Sequence, residues 1–281
     1  MLRLAAFLAC VGLATTRLGL VAHEFLGHGG ATLAVGGSVT KVQLFWFAGG
    51  WIQFQIPATW SAHVIVALGG CAIELLIAAL LLVVRHPIVR GVAAAIVVHA
   101  TWYLAAGTWH GFGDGTTLYQ AFGDARWPFA IACGLICVAT AFFGARIVFG
   151  TLRAYAGHRW APLLGALALA ALVNAGLMIG ELKVRQDVTY AEITKSESTR
   201  VVERELRQLP APQRELMRAQ LEEQHRDVPF KYVLAALALV AIALGARASP
   251  RSERAPPHID RIALLAAASI ALVILIDYAS R

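Results

Sequence analysis

Long apolar runs separated by short polar stretches dominate the chain. About 20 apolar residues cross a bilayer as a helix. On that length seven segments qualify, at about 4–24, 60–84, 91–109, 127–149, 161–180, 230–246 and 262–278. The last two are shorter or richer in alanine. The first apolar stretch continues to about residue 35, too long for one upright crossing, and contains Arg17. Arg3 followed by an apolar run also resembles the opening of a secretory signal. No small-x-small cleavage site precedes a soluble domain, so the run is expected to stay as a membrane span.

Two regions break this rhythm. In residues 39–56, Val42, Leu44 and Trp46 alternate with Lys41, Gln43 and Phe45, and after Ala48-Gly49-Gly50 the alternation resumes at Trp51. Period-two alternation around a glycine turn predicts a β-hairpin, and its aromatic content suggests the membrane interface. Residues 181–228 are polar, and helix formers at 203–207 and 215–224, interrupted by Pro210 and Pro212, predict a helical hairpin. No internal repeat is visible. The expected fold is therefore an all-α polytopic membrane protein of six or seven spans, with a small interfacial β-hairpin after the first helix.

Composition agrees. The chain has 281 residues, of which 58% are hydrophobic and 15% charged, with a mean hydropathy of +0.65. Soluble domains carry about 25% charged residues, so a soluble enzyme, a nucleic-acid binder and a disordered chain are all disfavoured. The net charge of +7 then reads as an orientation signal rather than as affinity for nucleic acid. Ten Lys and Arg residues in short loops lie on the side of Arg3, and three, Lys41, Arg126 and Arg281, on the other. This asymmetry puts the N-terminus in the cytoplasm and residues 37–59, 108–126 and 181–228 outside. Residues 181–228 hold ten acidic and nine basic residues and are expected to form a solvated face, with partner binding or substrate gating as the alternative. The four cysteines all lie in apolar runs and read as buried small hydrophobes.

Residues 1–180 contain only four acids, Glu24, Glu74, Asp114 and Asp124. Acids in a bilayer are costly and usually functional, which directs attention to these positions. Glu24 stands in His23-Glu24-Phe25-Leu26-Gly27-His28-Gly29-Gly30. In the H-E-x-x-H pattern of zinc hydrolases the histidines are four apart, about 40° around an α-helix, and face one metal. Here they are five apart, which on a regular α-helix separates them by about 140°. A single π-bulge would absorb the extra residue, eased by Gly27, Gly29 and Gly30. Alternatively Glu24 and His28 form the facing pair. A third alternative is two interfacial histidines with Glu24 paired to Arg17.

From Val21 to Gln53 the chain resembles the site-2 protease family of intramembrane zinc metalloproteases, in a divergent bacterial branch. That family carries H-E-x-G-H on a membrane helix, then small residues, a glycine, a strand and a glycine pair. Here Gly27-His28, Ala31, Ala34, Gly36-Gly37, Val39 to Phe47 and Gly49-Gly50 follow the same order, with one residue added inside the histidine pair. The family's third ligand is an aspartate followed by glycine, and Asp114-Gly115 matches that core. The Asn and Pro residues that often precede the core are replaced by glycines and His110.

The resemblance implies a zinc ion held by His23, His28 and Asp114, with Glu24 as general base. It also implies a substrate that is another protein's transmembrane segment, which the hairpin at 41–56 is expected to align, unwound, as an added strand. Its members work nearer the cytoplasmic face, which conflicts with the charge count. His110 and Glu74 are auxiliary candidates. Glu74 either replaces a substrate-positioning Asn of the family or pairs with Arg17. His99 reads as a packing histidine and Asn174 as helix–helix glue.

The expected organisation is a metalloprotease-like core over 1–126, spans four and five over 127–180, the charged segment 181–228 and two spans over 229–281. The expected location is the bacterial inner membrane, with lipid and a membrane-protein substrate as partners. Two rival functions stay open. One is an inactive protease-like scaffold that binds a partner through 181–228. The other is a metal or ion transporter with Glu24, Glu74 and Asp114 lining a polar path.

Overall fold

A computed structural model describes residues 1–195, 197–208, 210, 214–215, 230–252 and 259–280. Helix α1 (Leu2–Ala34) contains no proline and is continuous over 33 residues, with a π-helical stretch at Ala22–Gly29. It ends where Gly36 adopts φ +78°, so that the Gly37 N–H reaches back to the Thr32 carbonyl at 2.8 Å, a glycine C-cap. Strands β1 (Ser38–Leu44) and β2 (Gly50–Gln55) follow as an antiparallel pair with Val42 opposite Ile52.

Helix α2 (Trp60–Val83) is N-capped by the Thr59 hydroxyl, and α3 (Pro87–His110) begins on a proline. After α4 (Gly115–Phe122) and one 3-10 turn comes α5 (Arg126–Tyr155), then α6 (Trp160–Arg185). Two short helices, α7 (Val188–Ile193) and α8 (Glu197–Gln208), lead to α9 (Phe230–Arg247) and α10 (Ile259–Ala279).

Seven helical stretches are long and apolar enough to cross a membrane: α1, α2, α3, α4 with α5, α6, α9 and α10. The chain is a multi-pass helical membrane protein with a small hairpin after its first helix. Several helices outrun their apolar runs, as at 87–90 and 181–185. A helix satisfies its own backbone, and long basic side chains can still reach polar surroundings.

The interior is built from small residues. Cys71, Ala100, Ala105, Cys137 and Ala141 bring α2, α3 and α5 together, with Leu118 from α4 and Leu234 from α9. A methyl at Gly144 would strike Ala94, and Asn174 of α6 lies against Gly12 of α1. Such close approach is how helices associate where lipid removes the hydrophobic drive between them. All four cysteines are free.

The hairpin lies on α10 through Val42, Leu44 and Val273. The alternation expected through Phe45 and Trp46 stops at Leu44, where the strand ends. The next residues turn, so Phe45 is fully buried and Trp46 is 39% exposed. Three charged side chains hold this turn, and a fourth, Asp277, holds one of them. The Trp46 and Phe47 N–H groups donate to the Glu181 carboxylate at 2.6 Å each, and Ala48 N–H at 3.1 Å. Arg17 Nη1 donates to the carbonyls of Phe45 at 3.0 Å and Ala48 at 2.6 Å. Arg185 donates to the Leu44 carbonyl at 3.0 Å and to Asp277 at 2.9 Å.

Arg17 is therefore not hydrogen-bonded to Glu24 or Glu74, contrary to both pairings considered from the sequence. A guanidinium offers several donors in a fixed fork, and two backbone carbonyls at the turn engage it. Residues 181–228 are not wholly a solvated face, because Glu181 is buried and Arg185 is engaged. Of the expected helical hairpin, residues 203–207 fall in α8, while 216–224 lie outside the described residues.

Candidate metal centre

The π-helical stretch solves the spacing problem of the two histidines. With i→i+5 hydrogen bonds the turn widens to take in one more residue, so His23 and His28 project from one side of α1 instead of lying far apart around it. Their rings meet edge to face with centroids 4.8 Å apart. Phe25 and Leu26, the residues between them that turn outward, are 39% and 61% exposed.

Opposite this face α1 touches α2 through glycines. A methyl on Gly27 would strike the Gly69 carbonyl and the Gly70 backbone, and one on Gly70 would fall within the His23 ring. The Gly69-Gly70 pair is what lets α2 approach the histidines.

Asp114 arrives from the turn between α3 and α4. Gly111 and Gly113 adopt φ +67° and +54° there, a region glycine enters without steric cost. The Asp114 N–H approaches the Tyr103 hydroxyl at 3.4 Å, Thr116 Oγ1 donates to the Gly111 carbonyl at 3.0 Å, and Gly113 N–H donates to the Ile193 carbonyl at 3.1 Å. The short segment after α6 thus braces the turn that carries the aspartate.

The three side chains converge. His23 Nε2 and His28 Nε2 are 3.1 Å apart, and each lies 3.1 Å from Asp114 Oδ2. Donor atoms around a tetrahedral zinc with bonds of about 2.0–2.1 Å stand roughly 3.3 Å from one another. Two imidazoles and one carboxylate at this separation fit such an ion, and a three-residue set leaves a fourth position open, as catalytic zinc sites require.

The far side of His28 agrees with this. Its Nδ1 lies 2.7 Å from the Val66 carbonyl, a bond that puts the proton on Nδ1 and leaves the Nε2 lone pair facing the centre. No family model, no curated protein and no solved structure matches the chain. The centre therefore rests on its own geometry.

The remaining candidates are placed as follows. Glu24 is buried at 6% exposure in the same π-helical turn, and its carboxylate lies within electrostatic reach of His28 and His23. Glu74 lies 3.4 Å from His23 Nδ1 and 3.4 Å from His99 Nδ1. His110 is turned away from the cluster, its Nε2 accepting the Lys231 N–H at 3.4 Å. Cys71, Glu74 and His23 form a second group of donors within 4.8 Å of one another.

Several participants lay outside the sequence-based expectations. The Val66 carbonyl is a backbone group, for which a sequence carries no marker. Tyr103 is one aromatic among many in apolar runs. Asp277 did carry a signal, since an isolated charge inside an apolar span needs a partner, and Arg17, noticed for that reason, takes partners other than those expected. Which partners they find depends on the three-dimensional packing.

Proposed function

We propose that this chain is an intramembrane zinc metallopeptidase that cuts peptide bonds in or near the transmembrane segments of other membrane proteins. The reading fits the site-2 proteases its sequence resembles. The observation that carries it is the mutual 3.1 Å spacing of His23 Nε2, His28 Nε2 and Asp114 Oδ2, achieved across a five-residue histidine spacing by a π-helical turn.

These three residues would hold the ion. Bound there, zinc would supply Lewis acidity to a peptide carbonyl and lower the pKa of water toward neutrality. Glu24, adjacent to His23, would accept a proton from water at its carboxylate and return it to the leaving amine. The Asp114 side chain keeps 20% exposure within an otherwise buried cluster, an opening by which water would reach the ion. The exposed residues Gln53, Phe54 and Gln55 of β2 would meet a substrate in extended form, giving main-chain hydrogen bonds with little side-chain selectivity. The proposed location is a bacterial inner membrane.

The test is zinc content and proteolysis on the full chain reconstituted in lipid nanodiscs. The probe is a labelled reporter protein with one transmembrane segment weakened by glycine and proline. One zinc per chain is expected, with cleavage abolished by Glu24→Gln while zinc is retained. Cleavage that survives Glu24→Gln would sink the mechanism. Wild-type protein without zinc would favour the scaffold reading.

A further inference from the structure

We infer that Glu74 is the positioning residue for His23, holding its ring so that Nε2 stays aimed at the centre; this rests on the metallopeptidase reading. The two histidines need the same help. His28 receives it from the Val66 carbonyl at 2.7 Å. For His23 the group facing Nδ1 is the Glu74 carboxylate at 3.4 Å.

That contact is longer than a formed hydrogen bond. His23 Nδ1 is buried without a hydrogen-bond partner, and the atom that faces it is Glu74 Oε1. A cation on Nε2 withdraws electron density from the ring and makes Nδ1–H a stronger donor, so loading the centre draws this pair together. Carboxylate–histidine–metal arrangements work in this way.

Helix α2 serves His23 twice. Gly70 leaves the space its ring occupies, and Glu74, four residues on and so on the same face, meets its far nitrogen. The other carboxylate oxygen lies 3.4 Å from His99 Nδ1 of α3, near enough for charge pairing but longer than a formed hydrogen bond. A buried acid in a membrane span costs several kcal/mol unless it is paired, and contacts on both oxygens account for its presence. Glu74 therefore faces an imidazole nitrogen rather than Arg17.

The experiment is zinc affinity by chelator competition on the full chain in nanodiscs, for wild type, Glu74→Ala, Glu74→Gln and His99→Ala. Glu74→Ala should weaken binding about 10- to 100-fold, with one zinc per chain preserved at saturation. Glu74→Gln keeps an acceptor oxygen and should recover part of that loss. His99→Ala removes only the neighbour of the other Glu74 oxygen and should weaken binding less than Glu74→Ala does. Thermal unfolding of metal-free Glu74→Gln at the wild-type temperature would separate positioning from general stability, and Glu74→Gln carries the test if Glu74→Ala does not fold.

Equal affinity in wild type, Glu74→Ala and Glu74→Gln overturns the inference. So does a fall from two zinc ions to one in Glu74→Ala, because Glu74 would then be a ligand in the group with Cys71 and His23. Wild type that binds no zinc overturns the metallopeptidase reading itself, a different and recognisable result.

Discussion

Deleting Leu26 tests whether the π-helical turn is a single-residue insertion that the site has absorbed. Leu26 is 61% exposed on the outer side of that turn, away from α2. Without it, Glu24, Phe25 and Gly27 separate the histidines, a four-residue spacing that a regular α-helix turns into about 40°. The π turn then has nothing left to absorb, and the helix from His28 onward keeps its facing. Thr32 stays fully buried and Gly27 stays against Gly69 and Gly70. If the turn could not relax, the deletion would instead rotate all later residues by about 100° and retract them by about 1.5 Å. His28, Thr32 and Gly27 would then all leave their partners.

The direct loss is small. A fully buried leucine contributes about 1.5–3 kcal/mol, and only the buried 39% of this side chain is forfeited, roughly 1 kcal/mol at most. Regained α-helical hydrogen bonds offset part of that. Zinc affinity of the deletion variant, by chelator competition in nanodiscs, should stay within about tenfold of wild type, or about 1.4 kcal/mol. Inserting an alanine after Leu26 makes the spacing six, about 240° on an α-helix, and should abolish measurable binding. A Leu26 deletion that loses zinc as completely as Asp114→Ala would refute the interpretation of the turn.

Two further outcomes follow from single contacts. Glu181→Ala removes the acceptor of three backbone N–H groups, and each buried donor left unpaired costs about 1–3 kcal/mol. A destabilisation of about 3 kcal/mol or more is expected in equilibrium unfolding, and one below about 1 kcal/mol would mean that other groups hold the turn. Gly70→Ala places a methyl within the His23 ring, whereas a methyl at Gly176 meets nothing within 4 Å. The first should weaken zinc binding at least tenfold and the second leave it unchanged, and equal affinities would show that His23 does not depend on that space.

Much of the fold was legible because a bilayer imposes a length. Each of the seven expected segments corresponds to a long apolar helix, since about 20 apolar residues have few other uses. The β-hairpin was legible through its alternation, but only as far as Leu44. Beyond it Phe45 and Trp46 exchange the exposures the pattern suggests, because the backbone of a turn no longer alternates its side chains. The five-residue spacing of His23 and His28 was legible as an anomaly. The glycines at 27, 29 and 30 pointed to a local π-helical distortion as its resolution. The partners of Arg17 and Glu181 were not legible. Arg17 bonds carbonyls 28 and 31 residues away, and Glu181 bonds N–H groups more than 130 residues away. No periodicity encodes such separations.

The scarcity of acids in residues 1–180 found one buried cluster and missed another, and the reason is physical. Glu24, Glu74 and Asp114 stand out because apolar sequence surrounds them. Glu181 is buried too, but it opens a charged stretch and is hidden by its neighbours' composition. What distinguishes it is membership of α6, whose end reaches the hairpin turn. From there the chain runs on without leaving the site. Tyr190 lies beneath Gly49 and beside Phe45, and the Ile193 carbonyl accepts the Gly113 N–H next to Asp114. Residues 181–193 therefore tie the turn of the hairpin to the turn that carries Asp114. The two histidines are set by α1 and α2, while the aspartate is set by a bracket reaching from α6. The 3.1 Å triangle joins a part set by each, which places the segment after α6 in the scaffold of the candidate centre.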